Sequence, residues 1–409
     1  MSGTDRILSP AEPETVGLSR AGLERIDAAL QAMIDEGQLA GAVTLVGRRG
    51  RLAHAKAMGR KDVATGEPLK TDDIFRIFSM TKPVTGAAMM ILYEQGLWRP
   101  EDPVARFLPA LADLDVAARD IRGDLVRVGP DHPPTMAELM THTAGFSYGF
   151  DPMDPVDALY REANPLGAAS LAEMVERLVG LPLHYQPGTE WRYSLSMDIQ
   201  GAIIEALSGQ SLPEFMRTRI FDPLGMADTA FHVPPGKRER LATCYRMSAR
   251  RGLVPLDRPL LGADYDAPPA MALGGGGLFS TAADYARFAQ MLLNKGELGG
   301  VRILALESVA LMTRNHLSDA IMAGGFGVGF QQIRPGYGHA FDGAVFTDPA
   351  LAGAPVGKGT YQWDGAAGTW FWVDPVNDLL FVGLIQRMAL PGSPNLQAIT
   401  QTLMAEAFV

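Results

Sequence analysis

The strongest constraint on this chain is where its strand-forming segments lie, at its two ends. Near the N-terminus, "GAVTLVGRRGRLAHAKAMG" reads as two strands around the turn Arg48-Arg49-Gly50. Late in the chain, "GTYQWDG", "GTWFWVDP" and "LLFVGLIQ" read as three consecutive strands, with a turn at Pro375-Val376-Asn377-Asp378. The middle is helical. Residues 84–95 are apolar at helical spacing, Thr135…Glu138 and Ser170…Glu173 fit capping boxes, and Ser196–Leu207 and Leu212–Phe221 continue the pattern. Residues 20–36 form a further helix, with Ser19 as N-cap and Gly37 past its end, and another covers about 395–407. The stretch 121–134 reads as a loop, and 233–277 is too rich in Pro and Gly to assign. The economical architecture is an α/β (α+β) fold: a sheet domain from residues 1–83 and 278–409, a mainly helical domain from 84–277, and the active site between them.

Composition narrows the function. The 409 residues are 47% hydrophobic and 20% charged, enough apolar material for a large core and two domains. A net charge of -10 argues against nucleic acid as a partner. The single cysteine, Cys244, precludes an internal disulfide and a Cys-rich zinc site. His132 and Asp131 share a loop with no second ligand pair, so neither metal nor other cofactor is expected. No apolar run is long enough to span a bilayer, and "MSGTDRILSPAEPETVG" has no signal-peptide core, so the expected location is cytoplasmic, with no membrane partner. The oligomeric state is not legible.

Two serines compete for the chemistry. "GFSYG", Gly145–Gly149, fits the G-x-S-x-G elbow, and His339 could complete its order. The elbow needs a strand before Ser147 and a helix after it. The preceding "TMAELMTHTA" reads instead as a helix that Gly145 closes, and the prolines of "FDPMDP" discourage a helix after it. The other candidate is "SMTK". Pro83 is tolerated only in a helix's first turn, which places Ser79 at the N-terminus of the 84–95 helix, where free N–H groups favour developing negative charge. Lys82 follows three residues on, on the same face. The chain has 29 arginines and 7 lysines, so a lysine here is notable: burial can make its proton removable, as it cannot for arginine.

With its neighbours, "FRIFSMTKPVTG" resembles the active-site segment of the serine β-lactamase and penicillin-binding-protein superfamily. "ELMTHTAGFSYG", "PGTEWRYSLSMDIQGAIIEALSG" and "GGGGLFSTAADYARFAQMLL" are similar, in order, to further segments of its class C-like branch, and the resemblance covers roughly residues 20–409. By pattern the chain resembles the family VIII carboxylesterases, which share the β-lactamase fold. The resemblance implies a mixed, mainly antiparallel sheet flanked by helices, with an inserted helical domain. It implies Ser79 as nucleophile, Lys82 as proton partner and Tyr193 as general base, its phenol pKa lowered by the nearby ammonium. It implies an oxyanion hole from the backbone N–H groups of Ser79 and Ala366.

Two positions depart from the β-lactamase pattern. Trp363-Asp364-Gly365 stands where Lys-Thr/Ser-Gly is usual, and Leu195 stands in place of the asparagine of Tyr-x-Asn. Both departures point to simple esters over β-lactams. Glycine at 365 suits close approach of substrate. Trp363, Gly365, Leu195, Phe150 and Tyr148 are the candidate substrate-binding residues; Phe146, Met153, Trp370 and Trp372 are further pocket candidates, and His142 reads as structural. The glycines 274–277 form either a loop near the site or a flexible turn. The expectation is a serine carboxylesterase acting on small-molecule esters of short to medium acyl chain through an acyl-enzyme. An acyltransferase, a β-lactamase or D-Ala peptidase, and an inactive scaffold of the same fold are the alternatives.

Overall fold

The computed structural model describes residues 8–256, 267–324, 326–328, 331–333, 335–390 and 392–409. Residues 257–266, part of the unassigned Pro/Gly-rich stretch, lie outside the described residues. Helix α1 (Arg20–Asp35) starts where the Ser19 side chain accepts the Gly22 N–H, and Gly37 follows its end at φ 69°. Strands β1 (Gly41–Arg48) and β2 (Arg51–Asp62) meet at Arg49 and Gly50, at φ 52° and 69°. Two consecutive positive φ angles suit the twist of a tight hairpin. Helix α2 (Thr81–Glu94) follows a single 3-10 turn at Phe78–Met80.

The middle of the chain carries α3 (Met136–Met140) and α4 (Ser196–Ser208), with α5 (Ala282–Leu293) after it. Thr135 and Glu138 make a complete capping box. Ser170 accepts the Glu173 N–H, but the Glu173 carboxylate takes the Ala169 N–H, so that box is half formed. Two expectations change. Residues 121–134 are not all loop: Leu125–Val128 pairs antiparallel with Val116–Arg119 as a mostly exposed hairpin of two four-residue strands, too short to show a period-two pattern. The helix from Leu212 turns π-helical at Arg217–Phe221.

The C-terminal part supplies β3 (Tyr337–Ala340), β4 (Gly343–Phe346), β5 (Tyr361–Asp364), β6 (Trp370–Asp374), β7 (Leu379–Leu384) and α6 (Leu396–Ala405). The main sheet runs Ser9–Pro10, β2, β1, β7, β6, β5, β4, β3. Its first pair is parallel and its other main pairs are antiparallel, so β1 beside β7 joins the two ends of the chain. Both faces are covered. Trp370, Trp372 and Phe381 pack with Leu23, Ile26 and Leu30 of α1, while Phe371, Val373 and Val382 face Tyr285 and Phe288 of α5. That two-sided burial explains why these strands are apolar throughout rather than alternating. The chain leaves for the helices at Phe75–Arg76 and returns at Phe279–Ser280, and these two segments pair. No helix among the described residues is long and apolar enough to cross a membrane.

Candidate active site

Phe78, the residue before Ser79, has φ 44°, a costly conformation for a bulky side chain. It is held by burial beside Cys244 and Ala367. The turn it makes puts Ser79 two residues before α2, half-buried, with Lys82 fully buried one turn on. Tyr193 precedes α4 and arrives from 114 residues away: its O–H donates to Ser79 Oγ at 2.6 Å. Lys82 Nζ donates to Ser79 Oγ at 3.1 Å and to the Gly275 carbonyl at 2.6 Å. The glycine run is therefore part of the site. A Cβ on Gly275 would lie 2.5 Å from the Tyr148 hydroxyl, and one on Gly274 would lie 2.3 Å from the Met197 carbonyl.

Burial sets the proton affinities. It pushes the Lys82 ammonium down to about 8, against the carboxylates of Asp198, Asp342 and Asp364. It pushes the Tyr193 phenol up, with Asp364 and Asp198 adding to the rise and contacts to Ser79 and Trp363 opposing it. This reverses the expectation that the ammonium would lower the phenol. The physical reason is loss of water around the phenol, the largest cause of the rise; Lys82 spends its N–H bonds on Ser79 and Gly275 and meets Tyr193 through the ring, 4.5 Å from its centroid. Lysine, not tyrosine, is the group whose proton leaves near neutral pH.

Behind Tyr193 lies a buried aromatic cluster. His142 packs on the Tyr193 ring at 4.9 Å, accepts the Ser194 N–H at Nδ1, and offers its own carbonyl to the Arg192 N–H and the Tyr185 hydroxyl. Burial keeps it neutral, so it holds the Tyr193 segment in place. Tyr148 donates to Asp198 and stacks on Phe150.

Strand β5 closes the other side. Gly365 is required by the backbone as well as lining the cavity: a Cβ there would sit 2.3 Å from the Ile77 carbonyl and from Thr369 Oγ1. That contact presses the β5–β6 turn against the segment bearing Ser79. The N–H groups of Ser79 and Ala366 find no acceptor among the described residues. A cavity of about 360 Å³ opens here, lined by Ser79, Tyr193, Asp364, Gly365 and Ala366, and walled by Phe150, Trp370, Ile385, Met388 and Leu390.

Other candidates lie elsewhere. Leu195 is wholly buried in the core at the start of α4, and Phe146 and Trp372 are also core. Trp363 is buried against Tyr193 and His339 rather than on the cavity wall, and Met153 is exposed. Sequence reasoning assigned no role to Asp364, although it is the one charged residue of its strand. Helix α3 ends at Met140, five residues before Gly145, so Gly145 does not close it; Gly145 packs at φ 91° against Leu183 and the Tyr185 carbonyl. Ser147 is buried and donates to Asp157. Asp157 also accepts from Arg192 and binds His184 Nε2 at 2.7 Å. A triad needs the histidine between serine and carboxylate; here the carboxylate is in the middle. Asp154, Asp157 and His184 have metal-like spacing, but Arg192 reaches both carboxylates.

A family model described as Beta-lactamase matches residues 26–403. Esterase EstB of Burkholderia gladioli is 31% identical over 381 residues, covering 88% of this chain and 90% of that protein. Lovastatin esterase of Penicillium rubens is 33% identical over 401 residues, covering 91% and 95%. Among solved structures, that of EstCE1, described as a hydrolase with promiscuous acyltransferase activity, superposes with a TM-score of 0.79 at 28% identity, covering 94% of this chain and 99% of that one. The chain belongs to the Beta-lactamase family and is an enzyme of the family VIII esterase type that shares the β-lactamase fold.

Proposed function

We propose that this protein is a serine carboxylesterase hydrolysing short- to medium-chain acyl esters through an acyl-enzyme on Ser79. The observation that carries the reading is the convergence of Tyr193 O–H and Lys82 Nζ on one serine oxygen, at 2.6 and 3.1 Å, in a largely apolar cavity. Neutral Lys82 takes the Ser79 proton as Oγ attacks the ester carbonyl. The Ser79 and Ala366 N–H groups receive the oxyanion. The C–O bond to the alcohol then breaks, the Tyr193 O–H protonates the departing alkoxide, and the Lys82 ammonium returns a proton to the tyrosinate. Water repeats the sequence on the acyl-enzyme, with lysine again as the initial base.

A panel of p-nitrophenyl esters from acetate to octanoate, run beside a chromogenic cephalosporin, tests this. Esters should be turned over and the cephalosporin slowly or not at all. Trp363 is not a lysine, Leu195 is buried out of reach, and Asp364 places negative charge where a β-lactam would bring its carboxylate. A cephalosporin processed as efficiently as the butyrate ester overturns the preference. Added alcohol reads acyl transfer in the same assay, because the acyl-enzyme is common to both outcomes.

Gly365→Ala should lower kcat/KM for the butyrate ester by roughly 10²-fold while the protein stays folded, since its methyl group must displace the backbone at Ile77, two residues before the nucleophile. Parent-like kinetics in a folded Gly365→Ala would remove the turn from the catalytic geometry.

A further inference from the structure

Asp364 has the features of a binding group. It ends β5, pairs there with Trp370, and lines the same cavity as Ser79 and Tyr193. Two residues on is Ala366, so its backbone lies within about 7 Å of the proposed oxyanion N–H. No hydrogen bond or ion pair to the Asp364 carboxylate exists among the described residues. Lys82, the cation whose field it feels, points its N–H bonds at Ser79 and Gly275. Arg387, the other charged side chain on the cavity wall, donates to the Gln38 carbonyl. Burial pushes the Asp364 carboxyl up to about 6, with Lys82 opposing, so it is ionised in mildly alkaline solution. A half-buried, unpaired carboxylate beside a reaction centre is costly, and the cost is relieved by a ligand that brings the missing charge.

We propose that Asp364 is a specificity residue of the esterase site, selecting esters that carry a cationic ammonium group about three to five bonds from the scissile carbonyl and rejecting esters that carry an anion there. This rests on the esterase reading of the same site. It accounts for a feature that hydrolysis of plain alkyl esters does not need: a fixed negative charge in a cavity whose remaining wall is mostly apolar.

The test uses three p-nitrophenyl esters of matched shape, the 4-(trimethylammonio)butanoate, its carbon isostere 5,5-dimethylhexanoate, and the glutarate monoester, with a second series carrying the charge in the alcohol. At pH 8, kcat/KM in at least one series should rank cation above neutral above anion, by about tenfold or more per step, the scale of one charge pair at ~5 Å near a protein surface. Asp364→Asn, close in shape, should bring the cation-to-neutral ratio to near one, with thermal unfolding confirming the fold. Ratios within twofold of one in both parent series, or ratios that Asp364→Asn leaves unchanged, overturn the assignment. Calorimetric binding of the same esters to Ser79→Ala reads the ranking without turnover. A ranking present there while the parent hydrolyses no ester overturns the esterase reading alone; hydrolysis without any ranking overturns the Asp364 assignment alone.

Discussion

Ser79→Ala should abolish ester hydrolysis, by on the order of 10⁴-fold or more, while Ser147→Ala should keep a substantial part of it. Removing the nucleophile leaves only binding and the oxyanion donors, which account for a small residue of the rate. Ser79 is half-buried on the cavity wall, with two proton-carrying groups on its oxygen. Ser147 is buried and spends its hydrogen on Asp157, which keeps Arg192, His184 and the Asp151 N–H when the hydroxyl is gone. Its loss is therefore a stability effect, about 1–3 kcal/mol for a buried hydrogen bond broken on one side. Initial rates on p-nitrophenyl butyrate, with melting curves for both variants, separate the two. A folded Ser147→Ala without activity would hand the chemistry to the elbow.

The second large effect belongs to Tyr193 and Lys82 together. Tyr193→Phe keeps the ring on His142 and Trp363 but removes the O–H that reaches Ser79, and should cost ~10²–10⁴-fold. Lys82→Arg keeps a positive charge but has no removable proton, and its larger head must fit between Ser79 and the Gly275 carbonyl. It should be as inactive as Tyr193→Phe, and the double variant no worse than either, because the groups act in one relay. The parent's pH profile carries the same information. With the ammonium pushed down to about 8, the neutral amine falls tenfold per pH unit below that value, so kcat/KM should climb with pH and level near 8. Measurable Lys82→Arg activity with an unmoved acid limb would reduce the lysine to a fixed charge. A folded Tyr193→Phe with near-parent activity would end the relay.

What the sequence determined by itself was local. Helix α1 and its Ser19 cap, the Arg49-Gly50 hairpin and the three C-terminal strands are legible because periodicity and turn chemistry act over a few residues. Ser79 and Lys82 share one helical turn, so their proximity is also local; Tyr193 came only through resemblance, since no spacing rule spans 114 residues. The exposed hairpin at 116–128 is not legible because its strands are four residues each and show no alternation. Tertiary structure decided what depends on burial and direction. It buried Leu195, turned Trp363 from the cavity onto Tyr193, and made Gly365 a matter of contact with Ile77. It also shifted the proton affinities of the Lys82–Tyr193 pair. Lysine and tyrosine have ordinary affinities in any sequence; only enclosure lowers one and raises the other, because removing water penalises whichever form is charged. The same enclosure leaves Asp364 without a hydrogen-bond or ion-pair partner among the described residues, which no linear reading of Trp-Asp-Gly could reveal.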